Sequence, residues 1–220
     1  MEQPMAIERI LMTGFEPFGG EAVNPSWEVA RVLHGQSRGG AQITAVQLPC
    51  VFAQSLPALR QAIRRHRPQL VLCLGLAGNR SAISLERVAV NLCDARIADN
   101  AGAMPAGTPV VAGGPAACFT RLPVKALVQR LRHAGLPAEL SLSAGSFVCN
   151  QVFYGLMQAL RRQPQVLAGF IHLPPLPAQA AAHPGSTPLA LAEQVRGLAL
   201  VVEALVQGIE ELNVPGGQTD

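Results

Sequence analysis

Glu139-Leu-Ser-Leu-Ser143-Ala-Gly-Ser-Phe-Val-Cys149-Asn-Gln-Val-Phe-Tyr-Gly-Leu-Met157 reads as a strand, a tight turn of small residues, and a helix that begins at the cysteine. A thiol at a helix start sits among backbone N–H groups that have no partner within the helix, at the positive end of the helix dipole. Both favour the thiolate, which is the nucleophilic form. The same N–H groups could hold an oxyanion. Cys149 is therefore a candidate nucleophile, and the unit around it is a building block of an α/β fold.

Working outward, strand and helix patterns alternate along the chain. Strands are expected at Ile7–Thr13, Gln42–Leu48, Gln69–Leu74, Arg87–Cys93, Glu139–Ser143 and Leu167–Leu173. Helices are expected at Trp27–Leu33, Phe52–His66, Lys125–His133, Asn150–Arg162 and from Thr187-Pro188 to Leu212. In the second of these, apolar residues at 52, 56, 59 and 63 fall on one helical face. The Gly-, Ala- and Pro-rich stretch Ala98–Pro115 reads as an irregular excursion, His172–Pro188 as a proline-studded loop, and Asn213–Asp220 as a frayed tail. Alternation without an internal repeat defines an α/β class, a sheet covered on both faces by helices in a single domain over residues 1–220. Ligands of such sheets sit beyond the carboxyl ends of strands. Chemistry is therefore expected in the loops after Thr13, Leu74 and Ser143 and at the end of the last strand.

Composition narrows the function classes. A formal charge of +3 is too mild for a nucleic-acid binder, and Arg64-Arg65-His66-Arg67 and Arg161-Arg162 read as solvated helix ends. No apolar run reaches the length of a membrane span, and the N-terminus shows no signal peptide. The five cysteines (50, 73, 93, 118 and 149) share no CxxC spacing, and there is no HExxH motif. The expectation is a cytoplasmic protein with reduced thiols, no metal and no cofactor.

A cysteine nucleophile needs a base, and the base needs an orienting group. His172 ends the apolar run Leu167-Ala-Gly-Phe-Ile-His172 and would emerge at a strand's carboxyl end; His183 is the competing base. His34, His66 and His133 fall at helix ends. Glu86 is the candidate orienting acid because it begins the otherwise apolar run Glu86-Arg-Val-Ala-Val90, with Asp94 and Asp99 as rivals. Gly14-Phe-Glu-Pro-Phe-Gly-Gly20 lacks both the P-loop ending and the dinucleotide spacing, so Phe15 and Phe18 read as walls of a small apolar slot.

Four blocks together resemble the type I pyroglutamyl peptidases, also called pyrrolidone-carboxylate peptidases, a cysteine peptidase family. They are Thr13-Gly-Phe-Glu-Pro-Phe-Gly-Gly20 with Asn24-Pro25; Gly78-Asn-Arg-Ser81 leading to Glu86-Arg-Val-Ala-Val-Asn91 and Asp94-Ala-Arg-Ile-Ala-Asp-Asn100; Ser143-Ala-Gly-Ser-Phe-Val-Cys-Asn150 with Phe153-Tyr154; and Phe170-Ile-His-Leu-Pro174. The resemblance covers nearly the whole chain. It implies that Cys149 is the nucleophile, His172 the base and Glu86 the orienting carboxylate, on a three-layer α/β/α sandwich with a mostly parallel, twisted sheet. It further implies substrate contacts at Phe15, Phe18, Asn24, Ile97, Phe147 and Val148, with Arg96 near the reacting carbonyl. Peptides bearing an N-terminal pyroglutamate are the implied substrates, no cofactor is implied, and many members are homotetramers. This chain departs from many relatives in having Leu76 where they carry Gln, Cys50 where they carry Thr, and Ala98 where they carry Pro. Leu76 keeps open a thiol amidase or acyltransferase acting on another small cyclic amide. A non-catalytic binder on the same scaffold has no use for all three of Glu86, Cys149 and His172, and a phosphorylase-like role lacks a phosphate loop.

Overall fold

The structure, a computed structural model, describes residues 6–215. Its elements in chain order are β1 (Arg9–Phe15), α1 (Pro25–Leu33), β2 (Ser37–Arg38), β3 (Ala41–Leu48), α2 (Phe52–His66), β4 (Leu70–Leu76), β5 (Ile83–Glu86), β6 (Val88–Val90), β7 (Ala117–Phe119), α3 (Val124–His133), β8 (Ala138–Ser141), α4 (Val148–Ala159), β9 (Leu167–Leu173) and α5 (Leu191–Val206). Seven strands form one sheet in the order β2-β3-β1-β4-β9-β5-β8, and β6 pairs with β7 in a separate ribbon. The four central strands β3, β1, β4 and β9 are parallel, whereas β5 runs antiparallel to β9 and carries β8 parallel to itself.

Central strands must bury both faces, which is why β4 is an unbroken apolar run, Leu-Val-Leu-Cys-Leu-Gly-Leu. Alternate residues feed two cores. Ile10, Met12, Leu70, Leu72, Leu74 and Ile171 join α1, α3 and α5 on one side. Leu11, Phe15, Val71, Cys73, Ala168 and Phe170 join α2 and α4 on the other. The result is the helix-covered α/β sheet expected from the pattern, in the mostly parallel sandwich that the resemblance implies.

Three sequence expectations change. Glu86 does not begin a strand over Arg87–Cys93; it ends β5, and the chain leaves the main sheet at Arg87. There Arg87 N–H donates to Ser141 C=O (2.8 Å), while its own carbonyl accepts from Thr120 N–H (3.0 Å). Strand-forming residues stand on both sides of Glu86-Arg87, so the sequence does not mark the change of sheet. The last helix starts at Leu191 rather than at Thr187-Pro188, whose backbone is held by Ser81, and it ends at Val206, where Gly208 turns left-handed (φ 76°). β7 lies beyond the irregular stretch and was not expected, because three residues give too little alternation to read. Of the expected frayed tail, residues 216–220 lie outside the described residues.

Candidate active site

The strand register builds the site on the α2/α4 face of the sheet. His172 of β9 pairs with Gly75 of β4 on one side and with Ser84 of β5 on the other. Residues paired or spaced by two share a face, so Gly75, Phe170, His172, Ser84 and Glu86 all look the same way. His172 (4% exposed) meets Glu86 (0%) with Nδ1 2.7 Å from Oε1. An ionised carboxylate only accepts, so Nδ1 carries the proton and Nε2 is left free to take one.

Glu86 is gripped a second time. Arg80 donates from Nη1 to the same Oε1 (2.7 Å) and from Nη2 to the carbonyl of Ser143 (2.7 Å). Oε2 is buried without a partner. Burial works to raise the Glu86 carboxyl. The hydrogen bond and charge of His172, the charge of Arg80 and the Ser141 hydroxyl outweigh it and hold the group below its ordinary value.

Cys149 is the second residue of α4, after an extended Phe147 at the N-cap. The first main-chain bond of that helix is Gln151 N–H to Phe147 C=O (3.2 Å), and earlier N–H groups have no carbonyl behind them. Asn150 pins this helix start to β6: its side chain accepts from Val90 N–H (3.0 Å) and donates to the carbonyls of Val90 (2.9 Å) and Leu92 (2.9 Å). Cys149 is half-buried and its sulfur lies against Gly75, the register partner of His172. A Cβ at position 75 would fall 2.8 Å from Cys149 Sγ and 2.9 Å from Phe170 Cζ. Glycine is thus required there to let sulfur and imidazole share one patch of sheet. Gly75→Ala is expected to lower kcat/KM by about tenfold or more, since displacing a reacting atom by about 1 Å costs up to 10²-fold. The far-ultraviolet spectrum should stay that of the wild type, and a variant with unchanged kcat/KM would separate Gly75 from the site.

The helix start alone does not make Cys149 a resting thiolate. Burial pushes its thiol well above the ordinary value, with Cys50, Glu86 and Cys73 adding to the rise and Arg80 opposing it. Cys50 and Cys73, both buried, are pushed up to about 12. Cys149 differs from these in its partial exposure and in the imidazole beside it.

Around this centre the other expected residues divide. Phe18 and Phe147 are half-buried with ring centroids 6.1 Å apart, and Phe147 meets Phe52 edge to face at 5.2 Å. Phe52 was missed by sequence reading, where it was simply the first apolar residue of a helix. Phe15 (2% exposed) and Val148 (0%) are core residues beneath this row of rings. Asn24 is buried, caps α1 by accepting from Ser26 N–H (3.1 Å), and donates to the carbonyl of Glu16 (3.0 Å). Ile97 is exposed, as is Arg96, which makes no hydrogen bond or ion pair among the described residues. Their segment is tied to the turn before α4 by Asp94 N–H to Ser146 C=O (2.9 Å) and Ser146 hydroxyl to Asp94 C=O (2.7 Å).

The rival groups have other partners. Asp99 accepts from the N–H groups of Phe52 (2.8 Å), Ala101 (2.9 Å) and Ala103 (2.8 Å), and Asp94 accepts from Gly107 N–H (3.3 Å). His183 Nε2 lies 3.0 Å from Glu21 Oε1. Glu21 also accepts from Gln179 (3.0 Å), and Ser81 accepts from Thr187 N–H (2.7 Å), so the loops after β1, β4 and β9 are cross-laced. Leu76 is buried at the end of β4, paired with Leu173. Among the described residues no group of three or more His, Cys, Asp or Glu could hold a metal ion, and no helix is long and apolar enough to cross a membrane.

A thiol at a helix start, sharing a patch of sheet with an imidazole whose Nδ1 is bonded to a buried carboxylate, is the constellation of cysteine-nucleophile hydrolases. Residues 8–208 match the pyroglutamyl peptidase family, and the chain belongs to it. It is 55% identical over 197 residues to a pyrrolidone-carboxylate peptidase of Gloeobacter violaceus, covering 90% of this chain and 96% of that one. With the pyrrolidone-carboxylate peptidase of Cupriavidus taiwanensis it shares 52% identity, covering 95% of this chain and 98% of the relative. The crystal structure of pyroglutamyl peptidase I from Bacillus amyloliquefaciens superposes with a TM-score of 0.91 at 42% identity, covering 95% of this chain and all (100%) of the other. A mutant pyrrolidone carboxyl peptidase of Pyrococcus furiosus gives 0.86 at 36% identity, over 91% and 99% of the two chains.

Proposed function

We propose that this chain removes the N-terminal pyroglutamyl residue from peptides, with Cys149 as nucleophile, His172 as base and acid, and Glu86 as the orienting carboxylate. One observation carries the assignment of roles: the buried His172–Glu86 hydrogen bond of 2.7 Å stands on the patch of sheet that glycine at 75 keeps clear for the Cys149 sulfur.

With burial raising the thiol, attack begins with proton transfer. His172 Nε2 takes the Sγ proton as sulfur adds to the pyroglutamyl carbonyl carbon. The oxyanion formed is held by the unpaired N–H groups at the start of α4, and Arg96 would reach it from its exposed position. The C–N bond then breaks as the imidazolium gives its proton to the departing amine, leaving a pyroglutamyl thioester. Water, deprotonated by the same nitrogen, hydrolyses the thioester and the thiol takes the proton back. Throughout, Glu86 keeps the proton on Nδ1 and the charge of the imidazolium balanced.

The pyroglutamyl ring is a flat, neutral lactam without an α-ammonium. Rings such as Phe18 and Phe147 suit its faces, over a floor that includes Phe15 and Val148, with Asn24 and Ile97 at the edges. Main-chain groups meet the lactam N–H and C=O. A proline ring of the same size would leave those polar groups unpaired, which penalises it steeply. Release of aminomethylcoumarin from its pyroglutamyl derivative, but not from the prolyl analogue, is the expected result. Equal turnover of both, or none of the pyroglutamyl compound, would overturn the reading.

The proposal extends to place and assembly. A cytoplasmic setting would keep the five unpaired thiols reduced, and a homotetramer, as the family resemblance implies, would cover apolar side chains such as Phe119 (66% exposed) and Met104 (59%). Sedimentation of the purified chain reads the second point directly.

A further inference from the structure

Arg80 has no part in the reaction as set out above, yet its contacts reach both halves of it. It follows β4 in a turn closed by its own N–H bonding to Ala77 C=O (3.1 Å), and its side chain is only 20% exposed. One arm of the guanidinium holds the Glu86 oxygen that also takes His172; the other holds Ser143 C=O, in the turn that leads from β8 into α4 and Cys149. We propose that Arg80 is a positioning residue that couples the carboxylate–imidazole pair to the turn carrying the nucleophile, an inference that rests on the roles assigned above to Glu86, His172 and Cys149.

The geometry explains why an arginine stands there. A planar fork can span two acceptors on different loops at once, whereas a lysine is a point charge that can satisfy one of them or stand between. Since Oε1 accepts from both Arg80 and His172, Arg80 cannot swing away without freeing Glu86 to rotate, and the imidazole with it. Oε2 has no hydrogen-bond partner, so apart from the Ser141 hydroxyl nearby the hold on the carboxylate runs through Oε1. The charge also matters for the thiol. The groups that face Cys149 are Glu86 from β5, Arg80 from the turn after β4, Cys73 from β4, Cys50 from the segment between β3 and α2, and His172 from β9; of the four whose influence on its titration is resolved, Arg80 alone favours the thiolate.

The test uses Arg80→Met and Arg80→Lys, with Arg87→Met, whose guanidinium pairs instead with Glu211 (3.1 Å), as a control. Arg80→Met is expected to lower kcat/KM by about 30-fold, a fraction of the roughly 10²- to 10⁴-fold that a well-placed base supplies. It should also move the acid limb of the profile to higher pH. Alkylation of Cys149 by iodoacetamide, followed by mass mapping at pH 7, should slow by at least about threefold, because an opposite charge lost near a thiol disfavours its ionised form. Arg80→Lys should restore the pH dependence while recovering only part of kcat. The idea is overturned if folded Arg80→Met keeps the wild-type profile and alkylation rate. Should that variant not fold, it is overturned if Arg80→Lys matches the wild type in kcat. Alkylation needs no pyroglutamyl substrate, so a shifted alkylation profile in a chain whose wild type fails to cleave pyroglutamyl amides would sink the substrate assignment and leave Arg80's role standing.

Discussion

Cys149→Ala is expected to lower kcat/KM for a pyroglutamyl amide by about 10⁴- to 10⁶-fold, the loss seen when a covalent nucleophile is removed from a unit that acts as a whole. Nothing else near the carbonyl can form the acyl intermediate. Cys50 and Cys73 are buried, and neither lies in the first turn of a helix as Cys149 does. The fold should be indifferent to the change. Cys149 is half-buried, its helix is pinned by Asn150, and position 75 beside it carries no side chain. The melting temperature should therefore stay within a few degrees of the wild type, separating loss of chemistry from loss of structure. Cys149→Ser sharpens the point, because a hydroxyl is far harder to ionise than a thiol and should leave only a trace of turnover. Retention of a tenth or more of wild-type kcat/KM by the alanine variant would remove Cys149 from the reaction.

Glu86→Gln should cost about 10²- to 10⁴-fold in kcat/KM, on the pattern of triads whose carboxylate is replaced by an amide. The amide is almost the same shape, but it cannot balance an imidazolium and it can present an N–H where His172 needs an acceptor. Stability carries an independent signature. A carboxyl held below its ordinary value contributes stability that is present above the unfolded carboxylate range and lost as pH falls through the depressed folded value. The glutamine variant has no such dependence at this site. The gap in melting temperature between wild type and variant should therefore be widest near pH 7 and close as the solution is acidified. Melts at pH 7, 5 and 4 check this, and a constant gap would mean that Glu86 is not held as an anion in the folded protein.

Much of the scaffold was legible because its signals are local. The helix Phe52–His66 and the strand Leu167–Leu173 have the bounds that periodicity and apolar runs predict, and Cys149 lies within the first turn of its helix as the small-residue turn implied. What could not be read depends on partners distant in the chain. Glu86 ends a strand of the main sheet and Val88 opens one of the second ribbon, a break flanked by strand-forming residues on both sides. Arg80 sits in a recognisable block, but its acceptors are 6 and 63 residues away, and no spacing rule connects them. Phe52 and Asn150 serve the site through a ring contact and the carbonyls of Val90 and Leu92, in and just after β6, that only folding brings near. The raised Cys149 thiol is of the same kind: a helix start is visible in sequence, whereas the burial that outweighs it is a property of the assembled core.

The contacts that lace the loops after β1, β4 and β9, from Glu21 to Gln179 and His183 and from Ser81 to Thr187, set a temperature ceiling of their own. They are few and partly open to water, so they belong to the part of the molecule that opens at the least cost in free energy. The seven-stranded sheet beneath them melts only with the two cores. On warming, the loop that follows His172 should come undone while the sheet is still whole. Heat would then silence this enzyme before it unfolds it, and cooling would restore it.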